Sequence, residues 1–582
     1  MKNKKQFFAR HIFYTSLFPS LISAAALSAA DIADSVVIGN RMGEQGLAAI
    51  GIVTPVYMVY NILGYGLSIG GEVTHARLIA SGKEEEAGKH FNVLLWTGLL
   101  AGFALAAVGI VFFRRILIFL SADPADRYLF DLCCRYYLPL AGAAPLFIVN
   151  YLFYDLLRAD EDPRLASLAF TAGCVCDLVL NIVFVLILHM GAGGAVIATI
   201  IAQAVTAVIS MLHFFLKRGA LRISRPSFGF HTCLSDFKIG GASSVRYLFQ
   251  FVFITMANNL LMKSSAGIGA VNVAVFDLVM NVSYVSYSMF EGTGAAIQPL
   301  VSALCEEKDL PGIIYIKKTG FNWGMACGTA AAFMIALLAR PIAFFFGIKE
   351  PASLVVAIPA IHIFCFSVPF AGIIILWINY YQSVGKEKLA ALLTTLRTCI
   401  ILLPLTFLIG HFYAERFWMV FPVSELISLG IGFLVIRATK ADNVLDKVPV
   451  MSVTLENQSH EIAELLSDTE RFCAENGASR KQSNLLYMAV EEICMATIAK
   501  AFTGDENEYI QVTLTAEVND KFTLLIRNSA KRFNPFDMRT GKVTGQEEEE
   551  LLDSIGILYI KKKADRFFYR RSDRFNILTV VI

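Results

Sequence analysis

Most of this chain consists of one apolar unit that occurs twice. A shift of 224 residues lays the first copy onto the second without a gap. The shift pairs Asp34 with Asn258, Gly43 with Gly267, Gly70 with Gly294, Pro145 with Pro369, and Leu165-Ala166 with Leu389-Ala390. A duplicated apolar unit of this length predicts two similar helical bundles with a site between them. Secondary transporters are typically built in this way.

The composition places both copies in a lipid bilayer. The chain is 56% hydrophobic and 17% charged, with a mean hydropathy of +0.59, which excludes a soluble globular protein. Twelve apolar stretches each approach the roughly 20 residues that a helix needs to cross the hydrocarbon core. They lie at about 13–39, 46–70, 91–113, 129–156, 165–188, 191–216, 240–262, 270–296, 316–339, 354–381, 389–410 and 415–437.

The apolar runs end near residue 440, and charged residues then become dense. The later pattern predicts strands and helices in alternation: a strand at Met451–Leu455, helices at Glu461–Asn476 and Arg480–Phe502, strands at Tyr509–Glu517 and Phe522–Asn528, an acidic loop at Glu547–Glu550, a helix at about 554–563 and closing strands. We therefore predict an all-α polytopic membrane protein of twelve transmembrane helices in two six-helix bundles, with a C-terminal α+β cytoplasmic domain. The predicted domains are 1–216, 217–440 and 450–582.

The distribution of basic residues predicts the orientation. With the N-terminus inside, roughly 19 Lys and Arg of the membrane region face the cytoplasm and about 8 face outside. We expect a multi-pass protein of the cell membrane, embedded in the lipid bilayer, with both termini cytoplasmic. The net charge of +2 and the lack of a Lys/Arg stripe argue against a nucleic-acid partner. The 11 cysteines lie mostly within apolar spans, so we interpret them as core residues and predict no metal site.

A few carboxylates lie within the apolar spans, where an ionised group is costly unless it has a partner. Asp31 and Asp34 are three residues apart near the end of the first span, so they can share a helix face. In the fifth span, Asn181 follows Asp177 by one turn on the same face. A buried carboxyl group can bind a proton from one side of the membrane and release it to the other. The structural alternatives are backbone hydrogen bonds for Asp34, a buried pair for Asp177 with Asn181, and exposure to water for Asp31.

The repeat favours the first copy as the place of the coupling ion. Its Asp34 is replaced in the second copy by Asn258, which cannot titrate. Asp277 and Glu291 in the eighth span are secondary candidates, with hydrogen bonds between helices as the alternative role. Pro19 lies in the first span and removes a helical hydrogen bond, so it is a candidate hinge or a fixed kink.

Five blocks, in their order and spacing, resemble the multidrug and toxic compound extrusion (MATE) transporters over about residues 10 to 440. The blocks are Ile32–Gly39 with Gly46–Ala49, Gly70–Gly82, Leu157–Asp160, Gly292–Ser302 and Pro369–Gly385. The resemblance implies two six-helix bundles around a cleft. It also implies the export of organic cations or other amphipathic compounds in exchange for H+ or Na+.

The same resemblance bears on the ion site. Asp34 matches the first-helix aspartate of members whose ion site lies in the N-terminal bundle. Those members carry Asn and then Asp one turn later on the fifth helix, whereas here Asp177 precedes Asn181. Members that bind Na+ in the C-terminal bundle carry acids on the seventh and tenth helices, and none occurs around Gln250 or from Ala371 to Tyr381. The resemblance thus favours an N-terminal site and protons.

The tail has a resemblance of its own, carried by Leu486–Cys494, Phe533–Phe536, Ser554–Ile557 and Asn576–Thr579. These blocks are similar to the anti-sigma-factor serine kinases of the histidine-kinase-like ATPase superfamily. The resemblance implies an Asn that binds Mg2+ one turn after two paired acids, an Asp that reads adenine, and glycines that let the backbone approach phosphate.

The tail departs from that pattern at the residues that hold nucleotide. Ala496 stands in place of the Asn, Asn528 in place of the Asp, and Ser529-Ala530 in place of the glycine that follows. We therefore predict a degenerate module without kinase activity, which does not use ATP and acts as a regulatory or protein-binding domain. The residues left of the nucleotide site are Glu491, Glu492, Asn528 and Gly556.

These features predict a secondary active exporter of small amphipathic or cationic compounds, coupled to H+ or Na+ and without an organic cofactor. A lipid-linked saccharide flippase of the wider superfamily is one alternative. It would be favoured by a cleft lined with Lys and Arg, whereas only Arg246 and Arg397 lie near mid-span. A membrane receptor that signals through the tail is the other, and ATP turnover or phosphorylation of a partner by residues 450–582 would favour it.

Overall fold

The computed structural model describes most of the chain. The described ranges are 7–80, 83–160, 162–216, 221–263, 269–307, 309–439, 449–455, 459–502, 508–516, 521–537, 555–572 and 575–582. A few side chains within these ranges, among them those of Asp31 and Asp34, lie outside the described part, as does the predicted acidic loop at 547–550.

The described residues of the first copy fold into seven helices. They are α1 Phe7–Ala80, α2 Glu84–Val111, α3 Phe113–Phe119, α4 Arg127–Gly142, α5 Ala144–Ala159, α6 Pro163–Asn181 and α7 Gly191–Phe215. α1 contains the first two predicted spans, which are separated by a break at Gly43, where φ is 64°. A π-helical turn, Ile182–Ile187, continues α6.

In the second copy, the part that the structure describes folds into eight helices. They are α8 Phe230–Lys263, α9 Gly269–Glu306, α10 Leu310–Leu337, α11 Ala339–Phe345, α12 Pro351–Ser383, α13 Glu387–Thr395, α14 Leu402–Phe412 and α15 Val420–Ala438. A π-helical turn, Leu396–Ile401, joins α13 to α14, and a 3-10 turn, Ala414–Met419, precedes α15.

The helices repeat with the sequence. α12 lies 224 residues after the pair α4 and α5, and the short α11 follows the short α3 at nearly the same interval. Each of the twelve predicted spans consists almost entirely of helical residues, although several cross a break between consecutive helices. Among the described residues, nine helices are long and apolar enough to cross a membrane, or ten if α4 and α5, which meet at 52°, form one span. The predicted class, a helical membrane protein with a C-terminal α+β domain, is confirmed.

The prolines behave differently from one another. α1 continues through Pro19, and among its described residues the only break is at Gly43, so Pro19 does not interrupt the helix in this conformation. Pro145 does mark the bend between α4 and α5. Its repeat partner Pro369 lies inside the unbroken α12, so the two copies differ at this position. Ser367 donates to the carbonyl of Phe364 in the turn before Pro369.

The bundle has two ends, which we call the near side and the far side. The near side holds the start of α1 and the loop between α9 and α10, and the far side holds Gly43 and the end of α11. The two copies meet at the far side, where Asn40 Nδ2 donates to the Phe345 carbonyl at 2.5 Å and Asn259 Nδ2 to the Phe119 carbonyl at 3.0 Å.

The C-terminal domain contains one five-stranded antiparallel sheet in the order β1-β2-β3-β5-β4. Its strands are β1 Val450–Leu455, β2 Ile510–Ala516, β3 Phe522–Asn528, β4 Arg566–Ser572 and β5 Phe575–Val581. Its helices are α16 Ser459–Glu475, α17 Arg480–Ala501 and α18 Ile555–Lys563. A capping box between Ser479 and Gln482 begins α17. One face of the sheet forms an apolar core with these helices.

Candidate functional site

Asp177 and Asn181 form the polar pair that the sequence predicts in the first bundle. They lie one turn apart on α6, and Asn181 Nδ2 donates to Asp177 Oδ1 at 3.1 Å. Thr199 of α7 hydrogen-bonds to the same carboxylate. Asn181 is fully buried and Asp177 is half-buried, so the carboxylate can still be reached.

This carboxylate has polar partners rather than a cationic one. In the described part of the chain, the lysine, arginine and histidine nitrogens all lie more than 4 Å from Asp177, so none forms an ion pair with it. The π-helical turn Ile182–Ile187 follows at once. Such turns leave backbone groups differently placed and occur often at functional sites. The described partners of Asp177 are therefore an amide and a hydroxyl group.

The other two carboxylates predicted in the first bundle can be located only by their backbone. Asp31 and Asp34 lie in the helical part of α1, but their side chains fall outside the described residues. The neighbouring Ser35 is described and is buried. It points toward the second copy, where its hydroxyl donates to Asp277.

Asp277 of α9 lies between the two copies. Its Oδ2 accepts hydrogen bonds from Ser35 Oγ at 3.0 Å and from Asn281 Nδ2 at 3.1 Å. Asn258, the repeat partner of Asp34, donates across the same interface to the Gly51 carbonyl at 2.7 Å. Both contacts fasten the halves together toward the far side. The predicted alternative for Asp277, hydrogen bonding between helices, is therefore what the structure shows.

An aromatic cluster that the sequence reasoning missed lies between the copies, closer to the near side. Tyr65 of α1 stacks on Tyr247 of α8, with ring centroids 5.1 Å apart and planes at 5°, and contacts Tyr151 of α5 at 4.6 Å. Arg246 lies over the Tyr247 ring at 5.1 Å. Glu291 is exposed on α9 and interacts electrostatically with Arg246. Aromatic faces with charged groups at their edge suit an amphipathic molecule.

No sequence pattern identifies this cluster, because its members come from three helices and do not repeat. The shift of 224 residues pairs Tyr65 with Met289 and Tyr247 with Ser23.

The second bundle contains a buried ion pair. Arg397, on the π-helical turn Leu396–Ile401, contacts both carboxylate oxygens of Glu425 on α15 at distances of 2.8 to 3.0 Å. The guanidinium also lies over the Tyr287 ring at 5.2 Å. Glu425 was missed, although a carboxylate within the last predicted span was a usable signal.

A network of histidines and carboxylates lies on the near side of the first bundle and was also missed. His213 of α7 bridges Asp160 and Asp162, at 3.0 and 3.1 Å, and His75 of α1 contacts Asp160 at 3.3 Å. The Leu221 amide, in the connection between the copies, donates to Asp160 as well. These contacts join α1, the loop after α5, α7 and the connection. Among the described residues, no cluster has the arrangement of a metal site.

Two of the nucleotide-like residues of the C-terminal domain, Gly556 and Asn528, contact other side chains of the domain. A Cβ atom on Gly556 would lie 2.3 Å from the Glu492 carboxyl carbon, so this glycine admits a side chain of the domain itself. Glu492 thus lies at the start of α18, where a helix N-terminus attracts an anion. Asn528 is buried, and its Oδ1 accepts from Asn576 Nδ2 at 2.8 Å. Glu491 is half-buried on α17.

The family models divide the chain where the fold does. The MatE model matches residues 19–184 and 247–408, and the model described as Histidine kinase-like ATPase domain matches residues 455–582. The two MatE segments contain Asp177, Asn181, Asp277 and Arg397.

Curated relatives are distant. The chain is 23% identical to the probable multidrug resistance protein NorM of Photorhabdus laumondii subsp. laumondii, over 50% of this chain and 64% of the relative. It is 22% identical to protein DETOXIFICATION 43 of Arabidopsis thaliana, over 47% of this chain and 49% of the relative. The chain thus spans between about half and two thirds of the length of these relatives.

Solved structures share the fold more completely. An inward-facing conformation of a multidrug resistance MATE family transporter of the MOP superfamily matches with a TM-score of 0.63 and 20% identity, covering 73% of this chain and 98% of that chain. An outward-facing conformation of such a transporter matches with a TM-score of 0.55 and 20% identity, covering 75% and 96%. Because MatE segments account for more than half of its length, the chain belongs to the MatE family of transporters.

Proposed function

We propose that this protein is a secondary active exporter that exchanges small amphipathic or cationic compounds for H+, with Na+ as the alternative ion. The observation that carries the proposal is the unequal chemistry of the two bundles. In the second bundle, Arg397 neutralises one of the buried carboxylates, Glu425. The first bundle holds Asp177 with an amide and a hydroxyl only. Of the carboxylates of Asp177 and Glu425, only that of Asp177 is therefore left to bind an exchangeable cation.

Protons are favoured over Na+ by the number of ligands. Na+ needs several oxygen ligands, whereas a proton needs one carboxylate and a hydrogen-bond partner. The described contacts of Asp177 are an amide nitrogen and a hydroxyl. Asp34, on the same half of the repeat, is the second candidate for the proton. A membrane potential of 100 mV supplies about 2.3 kcal/mol for each charge moved, so one or two protons suffice for appreciable accumulation.

The substrate site that we propose is the cluster of Tyr65, Tyr151 and Tyr247 with Glu291. Its stacked rings would hold a flat apolar group, and the exposed Glu291 carboxylate would favour a positive one. Because Tyr65 and Tyr247 belong to different copies, rocking of the bundles would take this surface apart. Loss of the stacked pair would release the compound.

We further propose that the near side faces the cytoplasm, so that both termini are inside the cell. The excess of basic residues on near-side connections supports this orientation. A C-terminal epitope should then be cleaved by added protease in inverted membrane vesicles and protected in right-side-out vesicles. Cleavage in right-side-out vesicles alone would overturn the assignment.

The central experiment measures proton release from proteoliposomes on addition of ethidium, a flat organic cation. The wild type is compared with Asp177→Asn and Asp34→Asn, and Asp131→Asn is the control because this carboxylate is exposed and paired with Arg135 on the surface of α4. We expect the Asp177→Asn and Asp34→Asn variants to lose proton release and the control to keep it. Proton release by Asp177→Asn at the wild-type rate would exclude Asp177 as the coupling group. Transport that requires Na+ and moves no protons would reassign the ion.

Neither alternative function gains support from the described side chains. Arg397 is neutralised by Glu425. Of the two mid-span arginines that a flippase for anionic lipids would use, only Arg246 is left. A kinase output would require an open phosphate site, whereas Glu492 fills the space next to Gly556. We propose that the domain does not hydrolyse ATP, and release of inorganic phosphate by the purified full-length protein above that of a Glu491→Gln/Glu492→Gln variant would contradict this.

A further inference from the structure

The sheet of the C-terminal domain uses both of its faces. Alternate residues of β3 point in opposite directions, so Leu524 and Ile526 join the core beneath α16 and α17. Leu525 and Arg527 point the other way, and Leu525 belongs to the apolar core of the helical bundle. Phe575 and Ile577 on the neighbouring β5 do the same. The domain is therefore seated on the near side of the bundle by the face that its own helices leave open.

Arg527 is the centre of this contact. Its side chain is fully buried, its Nη1 contacts Asp309 Oδ2 at 2.6 Å, and its Nη2 contacts Glu307. The guanidinium also lies over the ring of Phe8, at the start of α1, at 4.3 Å. Gln511 on β2 donates to the same Asp309 oxygen at 3.4 Å. A buried arginine between two carboxylates is held firmly, because removal of the guanidinium would leave both carboxylates unpaired.

The contact joins the two copies of the repeat. Glu307 and Asp309 lie in the loop between α9 and α10 of the second copy, whereas Phe8 belongs to the first. Phe8 also meets Phe575 edge to face at 4.9 Å, and His11 meets the same ring at 5.5 Å. The domain thus holds the near end of α1 against the second bundle.

The corresponding connection of the first copy is not covered in this way. The shift of 224 residues pairs Glu307 with Lys83 and Asp309 with Glu85. Lys83 and Glu85 are both exposed. The C-terminal domain therefore covers the loop between α9 and α10, whereas the repeat partners Lys83 and Glu85 are exposed.

The near end of α8 is fastened to the first bundle by other means. Asp236 accepts from Thr74 Oγ1 at 2.7 Å and contacts His90 Nε2 at 2.7 Å, both in the first copy. The repeat partners of Asp236 and His90 are Ile12 and Ile314, which cannot form such a pair. At the α1 end, Phe8 contacts the guanidinium of Arg527, which Glu307 and Asp309 of the second copy hold in place.

We propose that the C-terminal domain is a clamp that holds the bundle in the arrangement with its far side closed. α1 runs as one helix from Phe7 to Gly43, so its two ends move together. Opening the far side must break the contact of Asn40 with Phe345 and that of Ser35 with Asp277, both made by this helix. The near end of α1 must then leave the second bundle, and the contact of Phe8 with Arg527 opposes this. The transport consequence of the clamp rests on the proposed exporter function.

The test compares hydrogen exchange of the full-length protein in lipid nanodiscs with its transport rate in proteoliposomes. Arg527→Ala removes the central contact from the domain side, and Asp309→Asn weakens it from the bundle side without altering the domain. Arg566→Ala is the matched control, an exposed arginine on β4. We expect the first two variants to raise amide exchange about tenfold in residues 8–15 and in 38–48, while α17 stays protected. Ethidium-driven proton release should rise about threefold as the far-side-open population grows.

The outcomes separate the clamp from the exporter. Faster exchange confined to the C-terminal domain, with 38–48 unchanged in both variants, would overturn the clamp. Unchanged transport despite faster exchange at 38–48 would overturn its role in regulation. If Arg527→Ala exposes α17, the domain itself has unfolded, and exchange at 38–48 in Asp309→Asn then decides whether the clamp stands. If wild type moves no protons with ethidium but both variants change exchange at 8–15 and 38–48, the exporter proposal fails and the clamp stands.

Discussion

The two bundles share a fold but differ in the partners that they place around a carboxylate. In the first bundle, Asp177 contacts Asn181 and Thr199, which carry no charge. In the second, Arg397 brings a permanent positive charge to Glu425. Each bundle has a π-helical turn near its pair, although the turns do not coincide under the repeat. A duplicated fold can therefore surround one carboxylate with neutral partners in one half and pair another with a cation in the other half.

The largest effect is expected when one partner of the Arg397–Glu425 pair is removed. Glu425→Gln leaves Arg397 as a buried charge without its carboxylate, and we expect a loss of about 3 to 5 kcal/mol in the free energy of unfolding. The double variant Arg397→Leu/Glu425→Leu removes both charges and should recover most of that loss. Thermal unfolding in detergent checks both. Equal destabilisation by the single and double variants would show that the pair is not the fixed element.

The next prediction makes the same change in the first bundle. Asp177→Asn leaves no cation unpaired, so we expect the melting temperature to stay near that of wild type. Ethidium-driven proton release should fall on the order of 100-fold, because the group that carries the proton is gone. Asp131→Asn should match wild type in both measurements. A large fall in melting temperature for Asp177→Asn would make this pair structural, like that of the second bundle.

A smaller effect is expected at the aromatic cluster, which also differs between the copies. Tyr65→Ala removes a stacked ring, and we expect about tenfold weaker binding of ethidium, whereas Tyr65→Phe keeps most of the affinity. Met289→Ala, at the repeat partner, should change the affinity much less. Fluorescence titration of the purified protein measures all three. Equal losses at the two positions would place the substrate symmetrically between the copies.

The smallest effect is predicted at the loop that the C-terminal domain leaves uncovered. Glu85 is exposed and pairs with Lys89 one turn away, and exposed pairs of this kind contribute little. Glu85→Ala should therefore leave unfolding and transport unchanged. Asp309→Ala, at the repeat partner, should lower the melting temperature, because Arg527 then lacks a buried partner and α10 loses its N-terminal cap. A similar fall in both variants would remove the distinction between the two loops.

Much of the fold could be predicted from local pattern. The spacing of apolar residues placed helices where the structure has them, and the change of composition near residue 440 separated the C-terminal domain. The spacing of Asp177 and Asn181 also predicted their contact, because residues four apart share a helix face. The π-helical turns and the unbroken helix at Pro369 were not predictable in this way. Both depend on how neighbouring helices pack around the backbone.

The sequence by itself determined the duplication, the membrane setting, the order of elements in the tail and the inequality between Asp34 and Asn258. These properties follow from composition, periodicity and register, which are local or repeat along the chain. Only the tertiary structure decided that Tyr65 stacks on Tyr247, that Ser35 contacts Asp277 and that Arg527 contacts Asp309. The last two of these contacts join residues that are 242 and 218 positions apart in the chain. Periodicity carries no information over such distances, because packing of whole helices and of the sheet brings these side chains together.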